Sequence, residues 1–410
     1  MLKWLLFDLN SYFASCEQQV DVLIRGKPVA VVPMLADSTC VIAASYEAKK
    51  FGIKTGTRLG DAKKMCPGLI LKTGNHKLYT EFHHKIIAAV QEVLPIKKVL
   101  SIDEVACELI GKEREFENAR RIAQQMKDHV RKVVGSEIKS SVGIGPNILI
   151  AKIASDMQKP DGLIMVSTDQ ILEKIGPLPI NALPGVGRQM NYRLNAKGYF
   201  TIADFIKAPD YELRKHWGSI WGLRVSRELA GEDIAYNKNP NQGSLSHQHV
   251  LPPNLRTPEK SFQVVTKLLL KAAARLRDEK LKTRRLSVYV KFQDGTRFEN
   301  SISFSDSDDT YFLVDELKKL WNKLLNTETH KKPLKVAIAL SDLMSGPSQL
   351  SLFDNPKKNS INHALDSINT KYGSNTLFLA STKEVLSSAK TRISFNHIPK
   401  LDEEFDEDYN

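Results

Sequence analysis

Apolar positions recur along this chain in two rhythms, and their alternation sets the first expectations. Trp4 to Leu9 is an almost unbroken apolar run, as in a buried strand, and Lys27 to Pro33 and Thr39 to Ala44 read the same way. Residues 79 to 94 instead repeat their apolar positions at the helical period. Val99 to Leu109 returns to a strand pattern, Phe116 to Val134 predicts a charged amphipathic helix, and Ser140 to Ile144 predicts a strand before a helix over Ile148 to Met157. Strands and helices interleave, so the first 165 residues are expected to be α/β or α+β. Pro177 and Pro179 then introduce about 50 residues of short helices ending near Asp233. Asn237 to Gly243 has the composition of a linker. Beyond it the pattern predicts a helix over Pro258 to Lys280 and strands at Arg285 to Phe292 and Arg297 to Phe304, joined through Asp294-Gly295. A helix over Tyr311 to Leu325 and a strand at Leu334 to Leu340 follow, and no internal repeat is visible.

Two interruptions of the apolar runs carry chemistry. Asp8 closes the first strand, and Asp103-Glu104 splits the run from Leu100 to Val105. A carboxylate buried against strands is costly unless a cation compensates it. Taken singly, each acid reads most simply as a cap or a paired surface group, but three in this context favour a divalent-metal site. Oxygen ligands without His or Cys point to Mg²⁺ or Mn²⁺ rather than zinc. Two such ions roughly 3.5 to 4 Å apart can activate a hydroxyl and hold the leaving oxygens of a phosphoryl displacement.

Charge narrows the partner. The chain of 410 residues, long enough for roughly two to four domains, carries +12 although its last nine residues, Asp402 to Asn410, hold six acids and no base. That excess favours a polyanion. Cys16, Cys40, Cys66 and Cys107 show no metal-ligand pairing and fit free thiols in a reducing compartment. The apolar N-terminal stretch is too short for a secretory signal and no run could span a bilayer, so the expectation is a cytoplasmic protein without membrane contact.

Four motifs then stand in order: Asp8-Leu9-Asn10-Ser11-Tyr12-Phe13-Ala14-Ser15-Cys16-Glu17, Tyr46-Glu47-Ala48-Lys49-Lys50-Phe51-Gly52, Ser101-Ile102-Asp103-Glu104, and Ala151-Lys152-Ile153-Ala154-Ser155-Asp156 with Lys159-Pro160-Asp161-Gly162. Together they resemble the Y-family translesion DNA polymerases, which include the DinB and UmuC types, and the resemblance covers nearly the whole chain. It implies a multidomain α+β right-hand polymerase. A ferredoxin-like palm would comprise residues 1–10 and 76–165, small fingers 11–75, a helix-hairpin-helix thumb 166–234, a linker 235–243, an α+β little finger 244–345 and a tail 346–410.

The same resemblance implies roles. Asp8, Asp103 and Glu104 become the catalytic metal carboxylates and the Leu9 carbonyl a further ligand, for two Mg²⁺ ions that Mn²⁺ can replace. Phe13 takes the steric-gate position, where a ring beneath the sugar clashes with a 2′-hydroxyl. Tyr12, Tyr46, Lys49 and Lys159 fall on the incoming triphosphate, where cations and a phenol donor offset charge on the leaving pyrophosphate. Without the resemblance, Lys49 and Lys50 would read as a solvated helix face. Many relatives have Arg at the position of Lys49, so a bidentate grip becomes a point charge here. Asn10, in place of a second acid common in DinB types, and Cys107 lean towards UmuC, while Ile148 stands where many relatives have Lys.

Further segments fit a polymerase that tracks DNA. Gly185 and Gly187, in Leu183-Pro184-Gly185-Val186-Gly187 ahead of Arg188, resemble a helix-hairpin-helix, where glycines let backbone N–H groups approach a phosphate, although such a turn alone is often only a tight connection. On the 258–280 helix, Lys260, Lys267, Lys271 and Arg275 lie opposite an apolar stripe of Phe262, Val265, Leu269, Ala272 and Leu276. With Arg284 and Arg285 beyond it, eleven bases stand against three acids between Arg256 and Lys291, an imbalance expected of a DNA-backbone contact. Gln349-Leu350-Ser351-Leu352-Phe353, after the flexible Ser345-Gly346-Pro347-Ser348, resembles the bacterial sliding-clamp peptide, an edge strand being the plainer alternative. Ala364 to Asn369 and Thr391 to Ser394 resemble the UmuC-type C-terminal region.

The expected activity is error-prone, template-directed addition of dNTPs to a primer 3′-OH on primer-template DNA, past damaged bases. A UmuD-type accessory protein and a recombinase filament are further partners implied by the resemblance. Two other readings fit the sequence less well. A catalytically inactive, clamp-bound adapter would usually have lost the carboxylates, and a palm-type nucleotide cyclase leaves the hairpin, the basic helix and the clamp peptide unexplained.

Overall fold

The computed structural model describes residues 1–37, 39–234, 243–328, 331–345, 356–373 and 375–389, with the backbone alone at 356–360. The described residues form two compact units, 1–234 and 243–389. The expected linker, apart from Gly243, lies outside the described residues, as do the Gln349–Phe353 peptide and Thr391 to Ser394.

In chain order the first unit contains β1 (Trp4–Leu9), β2 (Val29–Val32), β3 (Ala43–Ala44), β4 (Ile70–Thr73), β5 (Ile96–Val99), β6 (Glu104–Glu108), β7 (Ser140–Gly145) and β8 (Leu163–Met165). Five of them form one sheet in the order β5-β6-β1-β7-β8, antiparallel except for the β7–β8 pair. The central strand β1 is buried along its whole length, and its pleat divides it between two cores. Leu5, Phe7 and Leu9 pack with Tyr79 and Ile86 of the helix His76–Val93 and with Met126 and Val130 of the helix Phe116–Val133. Trp4 and Leu6 pack on the opposite face with Ala106 and with Ala151 of the helix Ile148–Met157. Asp8 shares the parity of Trp4 and Leu6, so its carboxylate belongs to the side of that last helix. The helix lies close because β7 offers it no side chain there: a Cβ on Gly143 would stand 1.9 Å from the Ala151 carbonyl oxygen.

The remaining strands, ordered β3-β2-β4, close a small core of their own around Val32, Ile53, Leu59 and Ala62. Helices Arg188–Asn195, Ile202–Ile206, Asp210–Trp217 and Trp221–Leu229 share a third core with Ile150 and Ile153. Their exit is tied back to the first sheet. Asn147 Nδ2 donates to the carbonyls of Glu228 and Glu232 at 2.6 and 2.8 Å, and Asp233 accepts from Lys3 Nζ and Trp4 Nε1 at 2.6 and 3.0 Å.

The second unit contains β9 (Ser244–Val250), β10 (Leu281–Phe292), β11 (Arg297–Ser307), β12 (Pro333–Ser341) and β13 (Met344–Ser345). The antiparallel sheet runs β11-β10-β12-β9, with β13 pairing the start of β10. Helices Pro258–Asp278 and Thr310–Thr327 cover one face through Leu269, Leu276, Leu317 and Trp321. A later helix, Pro356–Tyr372, is held to this layer by Arg277, which donates to both Asp366 oxygens at 2.6 and 2.8 Å, and by Asn362, which donates to Asp309 at 3.0 Å.

Four expectations change here. The predicted strand from Val99 to Leu109 breaks into β5 and β6, because the Leu100 and Ser101 amides fold back onto the Glu104 carbonyl at 2.9 and 3.2 Å. Strands β4, β8, β9 and β13 were not predicted. Lys267 and Lys271, expected on a DNA-facing surface, are turned onto the chain's own C-terminal segment. The Lys267 ammonium, only 3 % exposed, meets the carbonyls of Val385, Leu386 and Ser388, and that of Lys271 meets Ala389. Tyr12, expected at the triphosphate, buries its ring in the core and donates its phenol to the Tyr79 carbonyl at 2.6 Å.

Candidate active site

Strand pairing brings the three acids together. Asp8 on β1 stands opposite Glu104 on β6, so the two side chains share a face, and Asp103 is the residue before Glu104 at the end of the turn. The Leu9 amide donates to the Asp103 carbonyl at 2.9 Å and pins that turn to the end of β1. Asp8 is 3 % exposed; burial pushes the carboxyls of Asp103 and Glu104 above their ordinary range, against the Ser101 hydroxyl on the former and the Lys152 charge on the latter. Such a cluster calls for positive charge.

The helix Ile148–Met157 and the loop after it supply two ammonium groups. Lys152 Nζ is bonded to Asp8, stands 2.6 Å from Glu104 and 3.3 Å from Asp156. Lys159 Nζ reaches Asp8 at 2.7 Å and Asp156 at 2.8 Å. Burial pulls the Lys152 ammonium down, but Asp8, Glu104 and Asp156 outweigh it and hold it well above the usual lysine range. The loop that carries Lys159 is itself braced: Asp161 takes two bonds from Arg131 at 2.8 Å, and its amide donates to Asn10 Oδ1 at 2.8 Å. Asn10 therefore ties the end of β1 to the Lys159 loop rather than presenting a ligand to the carboxylates.

Of the residues expected at the triphosphate, three converge. Tyr46 and Lys49 sit one above the other, the ammonium 4.2 Å from the ring centre, and the charge of Lys159 acts on both. Burial, then Lys159, holds the Lys49 ammonium below its ordinary range, while burial keeps the Tyr46 phenol protonated and able to donate. Two cations and a phenol crowded beside Asp8 offer charged and neutral donors, which suits a polyphosphate. Phe13 stacks flat on Tyr79, with ring centres 4.3 Å apart and planes 12° apart, and Tyr79 is fixed in turn by its hydroxyl on Glu17 at 2.7 Å.

Sequence reading missed Lys152 and Asp156 as site residues. Their signal was available: Lys152 and Asp156 stand four residues apart on an otherwise apolar helix, and charges at that spacing share a face. Elsewhere, Gly185 takes φ +89°, a left-handed backbone that favours glycine, and Gly187 caps the helix that starts at Arg188, all three exposed. Arg284 and Arg285 are exposed, with Asp306 and Asp342 at 3.8 and 3.1 Å, Lys260 is half-buried, and Arg275 is engaged by Glu279 at 2.7 Å.

The donor set fits a hard divalent cation: carboxylates and a backbone carbonyl, no sulfur or nitrogen, with burial raising two of the carboxyls above their ordinary range. Among the described residues, however, no three His, Cys, Asp or Glu side chains converge as a ready ligand shell. The Lys152 ammonium lies between Asp8 and Glu104, and the Asp103 carboxylate is turned onto the Ser101 hydroxyl at 2.5 Å. Among the described residues, too, no helix is long and apolar enough to cross a membrane.

Known proteins resemble this chain in sequence and in fold. Residues 7–156 match the impB/mucB/samB family, and residues 242–352 match the C-terminal domain of that family. DNA polymerase IV of Moorella thermoacetica is 34% identical over 277 residues, covering 67% of this chain and 69% of its own. DNA polymerase IV of Desulfatibacillum aliphaticivorans is 28% identical over 375 residues, covering 90% of this chain and 94% of its own. A solved chimera of the Y-family DNA polymerases Dbh and Dpo4 superposes with a TM-score of 0.71 at 24% identity, over 84% of this chain and all of the chimera. Motifs, fold and relatives coincide, and the chain belongs to the impB/mucB/samB family, the Y-family translesion DNA polymerases.

Proposed function

We propose that this polymerase copies past damaged template bases by two-metal-ion phosphoryl transfer, with low fidelity, in the cytoplasm. The observation that carries the reading is the pairing of Asp8 with Glu104 across adjacent strands, with Asp103 beside them and Lys49, Tyr46 and Lys159 gathered next to the trio. Asp8, Asp103, Glu104 and the Leu9 carbonyl would hold two Mg²⁺ ions, or Mn²⁺. When bound, the ions activate the primer hydroxyl and stabilise the leaving oxygens. Lys49 and Lys159 draw the triphosphate in and offset charge on the departing pyrophosphate, while the Tyr46 phenol donates to it. Phe13, backed by Tyr79, excludes a 2′-hydroxyl.

The five-stranded sheet with its helices serves as the palm (1–10 and 76–165), and the small sheet as the fingers (11–75). The helices of 166–234 serve as the thumb, gripping DNA phosphates through the exposed Gly185, Gly187 and Arg188. Residues 244–345 are the little finger, with Lys260, Arg284 and Arg285 on the DNA backbone. Gln349 to Phe353 is the clamp-binding peptide. A UmuD-type protein and a recombinase filament belong to the same reading.

Primer extension with Mg²⁺ and four dNTPs on undamaged and abasic-site templates, clamp supplied, tests it. Extension through the lesion should fall by about 10³-fold in Asp103→Ala. Activity retained by that variant would remove the carboxylate assignment, and no synthesis by the native chain would remove the proposed function.

A further inference from the structure

The turn that carries Asp103 leaves one buried acceptor to be met from outside. The Leu100 and Ser101 amides both donate to the Glu104 carbonyl, the Leu9 amide donates to the Asp103 carbonyl, and the Ser101 hydroxyl stands 3.3 Å from the Asp103 amide and 2.5 Å from its carboxylate. None of these reaches the Ile102 carbonyl. It takes the ring of His83, whose Nδ1 stands 2.7 Å away. His83 is 5 % exposed on the helix His76–Val93; burial, opposed by the Ile102 bond and helped by a smaller push from His84, holds its ring below the usual histidine range. A neutral imidazole has one N–H and a carbonyl can only accept, so the proton sits on Nδ1.

We propose that His83 is a positioning residue for the reaction: its Nδ1–H fixes the Ile102–Asp103 peptide and thereby the direction in which the Asp103 carboxylate is presented beside Asp8 and Glu104. This rests on the reading of Asp103 as a reaction carboxylate. The link is one peptide plane long, because the Ile102 carbonyl and the Asp103 amide belong to the same rigid unit. Removing the His83 donor leaves a buried carbonyl unmet, and the plane turns to satisfy it, carrying the Asp103 amide away from the Ser101 hydroxyl. Tyr79, one turn earlier on the same helix, backs Phe13, so one helix face supports both the carboxylate turn and the sugar-facing ring.

Two substitutions separate positioning from packing. His83→Leu keeps bulk and removes the donor, whereas His83→Asn returns an N–H at the reach of Nδ1. In single-nucleotide insertion, His83→Leu should lower kcat by about 10- to 100-fold with KM for the dNTP within about twofold, and His83→Asn should recover most of kcat. Nitrogen-15 spectra of histidine-labelled native protein should show the His83 proton on Nδ1. An Nε2 proton, an unchanged kcat in His83→Leu, or no recovery in His83→Asn would each overturn the proposal. The spectrum decides the matter even if His83→Leu does not fold. Asp103→Ala run in parallel keeps the two readings apart, since its retained activity would sink the carboxylate assignment while the spectrum still reports on the His83 bond.

Discussion

Two groups of lysines drawn inward in this protein meet different partners. In the first unit, Lys152 and Lys159 lie among Asp8, Glu104 and Asp156; in the second, Lys267 and Lys271 lie on backbone carbonyls at the end of the Ala380–Val385 turn of 3₁₀ helix. An ammonium taken out of water needs a partner in either case. Carboxylates can exchange it for another cation, so the first cluster can rearrange around a ligand. Carbonyls at a helix end carry no net charge to pass on, and the second cluster only fastens a segment, as cations do at helix C-termini. Spacing in the sequence suggested the reverse, marking Lys267 and Lys271 as ligand contacts and overlooking Lys152.

The largest expected effect tests the reactive member of this pair. Lys159→Ala should lower kcat/KM for dNTP insertion by about 10²- to 10³-fold, with primer-template affinity and thermal stability close to native. A loss confined to stability would place Lys159 with Lys267 as a fastening residue.

Why the sequence revealed one cluster and not the other follows from what periodicity can see. The run Trp4 to Leu9 is long and apolar, so its burial and its terminal acid were legible, and the helix Ile148–Met157 was placed to the residue. The break between Val99 and Glu104 was not, because it depends on the Leu9 amide and the His83 ring meeting the turn's carbonyls across the fold. Strand β9 was missed because its Ser, His and Gln residues lie at a half-exposed sheet edge, where little alternation is demanded. The closeness of Ala151 to Gly143, which sets the height of Lys152 above the carboxylates, is a contact between a strand and the following helix that no local pattern encodes. For Lys267 the apolar stripe was read correctly. What escaped was that a later segment covers the opposite face as well.

A smaller effect sharpens the contrast from the other side. Lys267→Met leaves three carbonyls without their ammonium and should destabilise the second unit by about 1–3 kcal/mol, seen as a lower melting temperature. The dependence of DNA affinity on salt should stay unchanged. Were Lys267 a backbone contact after all, the slope of log K against log salt would fall by about 0.9 with no thermal effect.

Lys260 completes the series, because it sits on the same helix as Lys267 yet is only half-buried, in the first turn where Thr257 caps the helix. An ammonium at a solvent-facing helix start contributes far less to folding than one buried on carbonyls, so Lys260→Ala should lower the melting temperature much less than Lys267→Met. If the little finger lies along the duplex, the variant should bind primer-template more weakly by no more than about tenfold, with a salt slope shallower by roughly one phosphate's worth and no change in sequence preference. Opposite responses from two lysines seven residues apart would establish that burial and partner, not helical spacing, divide the DNA-facing cations of this unit from its structural ones. Equal responses would mean that the C-terminal segment leaves Lys267 when DNA binds, and that the fastening seen here is one of two states.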